Sequence, residues 1–195
     1  MSQPLITLRR QLRQQRRKVS RYQQRQAQYK VCATLFQQTI FAHSQHIGVY
    51  LHAFGEIYTH QIILECFRRG KAVYLPMVCT MNGHLVWVKI SQRQYLNRRF
   101  ALHRLGMQQA MQSRGHSVKQ IDLLIMPLLA CDHLGTRLGM GGGFYDKTLS
   151  RAAKKPYRLG LAHDFQLLEQ PLVRAPWDQP LDALLTPQRL LKFKR

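Results

Sequence analysis

The chain has 195 residues, 45% of them hydrophobic, which suits one globular domain with a real core. No apolar run reaches the roughly 18 residues a membrane span needs, and the basic start carries no apolar signal segment, so a cytoplasmic protein is expected. Thirty Lys and Arg against nine Asp and Glu give a net charge of +21. That field attracts nucleic acid, nucleotide phosphates or polycarboxylate ligands, and composition does not choose among them.

Residues 4–40 read as helical. The first run, 8–20, is dense in Arg and Gln, with Leu5, Leu8, Leu12 and Val19 at helix-compatible spacing. A second helix is expected over 22–42, with Val31, Ala33, Leu35, Phe36 and Ile40 as its apolar side. IGVYL, 47–51, suits a buried strand. THQIILECFRRG follows as a helix that Gly70 stops. AVYLPMV is a second strand, and MNGHLVWVKIS reads as an Asn-Gly hairpin. Residues 101–120 are polar and give no clear pattern. IDLLIMPLLA, 121–130, is a third buried strand, and a helix should reach about Ala153. YRLGLAH, 157–163, is a fourth strand, 164–170 a short helical turn, and ALLT, 183–186, a last edge. Strands alternating with helices predict a single three-layer α/β domain with a mainly parallel sheet and a basic helical start.

The four cysteines, 32, 66, 79 and 131, form no CxxC pair, and no His stands at zinc-finger spacing from them. They read as structural thiols of a reducing compartment. His43 and His46 have no carboxylate nearby in sequence and read as surface residues.

The stretch RLGMGGGFYDKTL, 137–149, is different in kind. Four glycines fall within five residues, between an apolar strand and a helix. Consecutive glycines can turn several backbone N–H groups toward one point, and a helix N-terminus adds partial positive charge. Arg137 could offer a planar fork to phosphate, and Asp146 a carboxylate oxygen to Mg²⁺. The stretch is neither a Walker A sequence nor a dinucleotide fingerprint, because Phe144 stands at the sixth position of the latter.

The longer string DHLGTRLGMGGGFYDKTLSR, 132–151, resembles the signature of the 5-formyltetrahydrofolate cyclo-ligase family. LRRQLRQQRRKVS, IGVYLHAFGEIYT, GKAVYLPMV, IDLLIMPLLACD, GLAHDFQ and WDQPLDALLT resemble other family segments in the same order. The resemblance implies a single α/β domain that uses MgATP to convert 5-formyltetrahydrofolate into 5,10-methenyltetrahydrofolate, with release of ADP and phosphate; the positive field could steer ATP and polyglutamylated forms of the folate. It implies that Arg9 reaches ATP and that Arg137, Leu138, Gly139, Met140, Gly141, Gly142, Gly143, Phe144 and Tyr145 form the ATP loop. Arg137 and Tyr145 would act in catalysis. Met140, Gly141, Gly142, Gly143 and Phe144 would also face the folate, with Leu51 and Glu56. Asp146 and Asp178 would hold the metal. A monomer or weak dimer is expected.

This chain also departs from the family pattern. Ile6 and Leu5 stand where a Lys usually precedes the N-terminal Arg, with Arg10 and Arg13 close by. Gly142 stands where many relatives carry Lys. Tyr58 replaces an Asp, and FALHRL, 100–105, lacks the usual Gly and Glu-Pro. A homologue that binds ATP or folate without efficient turnover therefore stays open as an alternative. A basic nucleic-acid-binding protein is a third reading, against which the chain shows no recognition helix, zinc knuckle or RNA-binding aromatic signature.

Overall fold

The computed structural model describes residues 3–79, 83–103, 106–111 and 114–194. The basic start forms α1 (Gln3–Lys18). The Ser20 hydroxyl and Gln23 side chain then make a reciprocal capping box that opens α2 (Arg21–Phe36). The helix expected over 22–42 is two helices, because the chain turns at Gln37 before α3 (Thr39–His43). That break lets Phe41 enter the core fully buried, with its ring 5.2 Å from that of Phe36.

Then follow β1 (His46–Gly48), α4 (His60–Arg68), β2 (Ala72–Val78) and β3 (Leu85–Ile90). Gly83 has the left-handed φ of a tight turn between β2 and β3, while Asn82 lies outside the described residues. A short α5 (Gln92–Leu96) follows β3, and the indistinct region 101–120 takes part in a two-stranded ribbon of β4 (Phe100–Leu102) and β5 (Gln108–Ala110). Of FALHRL, residues 104 and 105 lie outside the described residues.

The expected strand over 121–130 splits into β6 (Leu123–Pro127) and β7 (Ala130–Asp132). β7 leaves the main sheet to pair with β8 (Arg137–Leu138) and β10 (Leu167–Leu168). Between them lie α6 (Phe144–Leu149), which ends short of Ala153, and β9 (Tyr157–Leu161). β11 (Ala183–Leu185) is not the edge expected for ALLT: β12 (Leu190–Lys192) turns back at Thr186 and pairs antiparallel outside it.

The main sheet runs β12-β11-β9-β6-β1-β2-β3. All neighbours from β11 to β2 are parallel, and only the two outer strands are antiparallel. Alternation along the strands divides the core into two faces. Leu123, Ile125, Leu159 and Leu161 face α2, α3 and α4, whereas Leu124, Met126 and Leu184 face Val118, Leu149 and Trp87. Two helical layers enclosing the sheet match the expected three-layer plan. His46 is not simply a surface group, because its Nδ1 lies 2.9 Å from the Tyr74 hydroxyl; His43 is exposed. No described helix is long and apolar enough to cross a membrane.

Candidate active site

From β1 the sheet continues through β2 to one edge, and from β6 through β9 to the other. The crevice where the order reverses therefore opens at the carboxyl ends of β1 and β6, the place where open α/β sheets bind ligands. The turn carrying Leu51 and Glu56 follows β1. The run leading to the glycines follows β6. The topology thus brings two sequence-predicted segments to one crevice, although about 80 residues separate them in the chain.

Helix α1 closes the crevice through arginines. Arg9 Nε donates to the Gly139 carbonyl at 3.1 Å, and an Arg13 Nη donates to the Met140 carbonyl at 2.9 Å. Arg16 lies one turn further on and is 1% exposed. It donates to the Phe54 carbonyl at 2.9 Å and the Leu128 carbonyl at 3.2 Å, and stands 3.5 Å from Glu56 Oε1. Spaced i, i+4 and i+7, these residues share a helix face. On the adjoining stripe, Leu5, Leu8 and Leu12 pack on Leu129, Ala130 and Leu138. Leu5 is thus an apolar anchor, while Ile6 and Arg10 are exposed.

The turn from Phe54 to Glu56 is tightly built. Phe54 has φ +50, a sparsely populated conformation for a non-glycine residue, and Gly55 has φ +79. A Cβ at Gly55 would collide with the Arg16 carbonyl oxygen, so glycine is required there. The Gly55 carbonyl accepts from Gln24 Nε2 at 2.8 Å and lies 3.1 Å from His163 Nε2, which must carry the proton in that bond. Glu56 Oε2 accepts from the Ala53 N–H at 2.9 Å. Burial raises the Glu56 carboxyl above its usual range, opposed by Arg16 and the Ala53 N–H. Leu51 is half-buried against the core beside this turn.

In the glycine loop, β8 takes up Arg137 and Leu138, so part of the expected flexible loop is ordered strand. The Arg137 side chain is 4% exposed. One Nη donates to Asp146 Oδ2 at 2.8 Å, and the guanidinium lies 5.4 Å from the Tyr145 ring centre. A Cβ at Gly139 would come within 2.7 Å of that guanidinium, so the close approach depends on glycine. Gly143, with φ +65, is the residue before α6. Gly141 and Gly142 are exposed, Met140 is 44% exposed, and Phe144 and Tyr145 are half-buried. Burial raises the Tyr145 phenol, opposed by Arg137, so it stays protonated at neutral pH.

Asp146 Oδ1 accepts from the Gln179 N–H at 3.1 Å, which draws the segment containing Asp178 to the foot of the loop. Asp178 Oδ2 closes its own turn by accepting from the Ala175 N–H at 2.8 Å. Each carboxylate keeps acceptor capacity beyond these bonds. Hard oxygen donors of this kind fit Mg²⁺. Arg13 Nε and Arg137 Nε are buried without a hydrogen-bond partner among the described residues, an arrangement that fits an anionic ligand at the loop.

Two cavities lie elsewhere. One of about 640 Å³ is lined by Lys18, Tyr22, Lys30, His163 and Phe165, and one of about 430 Å³ by Ile40, Tyr157 and Leu190. The first of these also has Asp164 in its wall, but the glycine loop, the α1 arginines Arg9 and Arg13, and Asp146 come together at the switch point instead. Arg16, which ties the Phe54–Glu56 turn to Leu128 and Met140, is the residue that sequence reasoning missed. Its spacing from Arg9 and Arg13 was the available signal, hidden in a run where almost every residue is Arg or Gln.

A family model, the 5-formyltetrahydrofolate cyclo-ligase family, matches residues 2–187. The chain is 34% identical over 189 residues to an Escherichia coli protein named 5-formyltetrahydrofolate cyclo-ligase, covering 93% of this chain and all of that one. It is 31% identical over 183 residues to the protein of that name from Haemophilus influenzae, covering 91% and 95%. The solved structure of 5,10-methenyltetrahydrofolate synthetase from Aquifex aeolicus has the same fold, with a TM-score of 0.82, 24% identity and coverage of 98% and 93%. The family model and these relatives show that the chain belongs to the 5-formyltetrahydrofolate cyclo-ligase family and is an ATP-dependent ligase.

Proposed function

We propose that this chain, acting as one domain in the cytoplasm, converts 5-formyltetrahydrofolate into 5,10-methenyltetrahydrofolate with MgATP. The observation that carries this reading is the convergence at one switch point of the glycine loop and the Glu56 turn, joined by arginines of α1. The formyl oxygen attacks the γ-phosphorus as the bond to the β-phosphate oxygen breaks, and ADP leaves. The formyl carbon then carries a phosphate leaving group. N10 attacks that carbon, the carbon–oxygen bond breaks, and phosphate departs with the former formyl oxygen. N10 loses its proton, leaving the amidinium of the product.

The protein's work is positioning and charge placement. Backbone N–H groups from Gly139 to Phe144, flanked by Arg9 and Arg137, would surround the phosphates. Tyr145, protonated, offers a neutral donor beside Arg137. Leu51 and Glu56 would hold the pterin, whose donor-rich edge suits a carboxylate. Met140 through Phe144 would lie between the two ligands. Asp146 and Asp178 would hold Mg²⁺, which supplies charge neutralisation on the phosphates when bound. Four free thiols are consistent with a reducing compartment.

Mixing the protein with MgATP and 5-formyltetrahydrofolate tests the reading. The near-ultraviolet absorbance of methenyltetrahydrofolate should rise only when ATP is present. Protein that binds ATP but gives no rise above the no-ATP control would remove the assignment and favour the non-catalytic homologue.

A further inference from the structure

Arg16 joins four stretches of chain that are far apart in sequence. From α1 its Nε reaches the Phe54 carbonyl, and one Nη reaches both the Leu128 carbonyl and Glu56 Oε1. The other Nη lies 3.9 Å from the Met140 sulfur. One buried, planar side chain thus touches the folate-side turn, the end of the strand that feeds the glycine loop, and the loop itself. The backbone takes part as well, since the turn at Gly55 rests on the Arg16 carbonyl.

The two sides of this bridge differ in stiffness. The turn is fixed by the Gln24, Ala53 and His163 contacts and holds Phe54 at positive φ. On the other side Gly141 and Gly142 are exposed, and Met140 is held from α1 through its carbonyl by Arg13 and through its sulfur by Arg16. A ligand that settles against Glu56 fixes the Arg16 fork, and the fork then fixes where Met140 can sit. A ligand ordering the loop does the same in reverse, because coupling between two binding sites is reciprocal.

We propose that Arg16 is a positioning residue that couples the two ligand sites, so that folate bound at the Glu56 turn strengthens nucleotide binding at the glycine loop, and the reverse. The proposal rests on the two-ligand reading of the site above. Arg16 touches neither reacting atom; it acts through Glu56, Phe54 and Met140. A Lys carries the same charge but lacks the planar fork, so it cannot serve the Phe54, Leu128 and Met140 sides together.

The test measures the dissociation constant of a non-hydrolysable ATP analogue by titration calorimetry, with and without saturating 5-formyltetrahydrofolate. Wild type, Arg16→Lys and Arg16→Met are compared, with thermal unfolding to show that each is folded. In wild type the folate should tighten the nucleotide by about tenfold, within the usual range for coupled sites. In Arg16→Lys the ratio should fall below about threefold while binding of the nucleotide alone changes less than about threefold. Arg16→Met leaves the Phe54 and Leu128 carbonyls without these donors and serves only if it folds; Arg16→Lys carries the test otherwise. A wild-type ratio near one with both ligands bound, or a wild-type ratio kept in folded Arg16→Lys, overturns the proposal. Turnover by wild type in the same preparation separates the two claims: absent turnover and folate binding would bring down the functional reading, and the coupling with it.

Discussion

Replacing Asp146 with Ala should destabilise the protein even without ligand, because Asp146 carries the charge balance of a buried cation. Its Oδ2 takes an Arg137 Nη at 2.8 Å, and its Oδ1 takes the Gln179 N–H at 3.1 Å. The Arg137 side chain is 4% exposed and its Nε already lacks a partner among the described residues. Both bonds are to a carboxylate, and a hydrogen bond to a charged group contributes about 1.5–3 kcal/mol. Asp146 is 17% exposed, so water partly compensates, and the loss should be about 2–3 kcal/mol. For a domain of this size each kcal/mol lowers Tm by about 2–4 °C, which gives a fall of about 4–12 °C. Thermal unfolding followed by circular dichroism at neutral pH checks this. Arg137→Met combined with Asp146→Ala should recover part of the loss, since the stranded charge is gone. A fall under about 2 °C, or no recovery in the double variant, would refute the reasoning. In turnover assays Asp146→Ala should lose activity chiefly through MgATP, and unchanged activity would remove Asp146 from the metal site.

Glu56→Gln should lower kcat/KM for the folate by roughly ten- to a hundredfold, the scale of one lost charge-assisted bond, with a smaller change for ATP; equal losses for both substrates would count against a folate contact. His163 is held below the ordinary histidine range, chiefly by burial. The unfolded chain therefore binds more protons just below pH 6.5, so stability should fall as pH drops through that value toward the lower folded pKa. His52 is shifted the same way and will keep part of the slope. His163→Gln should flatten denaturant-derived stability between about pH 7 and 5, and an unchanged slope would refute the assignment. No Asp or Glu precedes Glu56, whereas nine Lys and Arg do. Affinity for a polyglutamylated folate should therefore fall more steeply with salt than affinity for the monoglutamate, and equal slopes would sink that steering role.

The sequence made the parallel sheet legible wherever an apolar run was short and bounded. AVYLPMV became β2 without change, because a turn and a helix stop fix both its ends. The longer run IDLLIMPLLA concealed a division. Pro127 has no N–H to extend the ladder, and the Leu128 carbonyl is taken by Arg16 and Gln166 instead of a strand neighbour. Periodicity cannot show that, because the partners come from distant parts of the chain. The same limit applied at the site. The glycine loop announced itself by composition, and the Glu56 turn by resemblance, but their joining through Arg16 depends on tertiary contacts at 38 and 124 residues' separation.

The path of one oxygen atom tests the central claim most directly. With 5-formyltetrahydrofolate carrying ¹⁸O in the formyl group, a single round of turnover with MgATP should place the label in the released inorganic phosphate, with one ADP formed for each methenyltetrahydrofolate. Label found in water, with unlabelled phosphate, would mean that the formyl oxygen never bonded to phosphorus and would contradict the reaction assigned to this site.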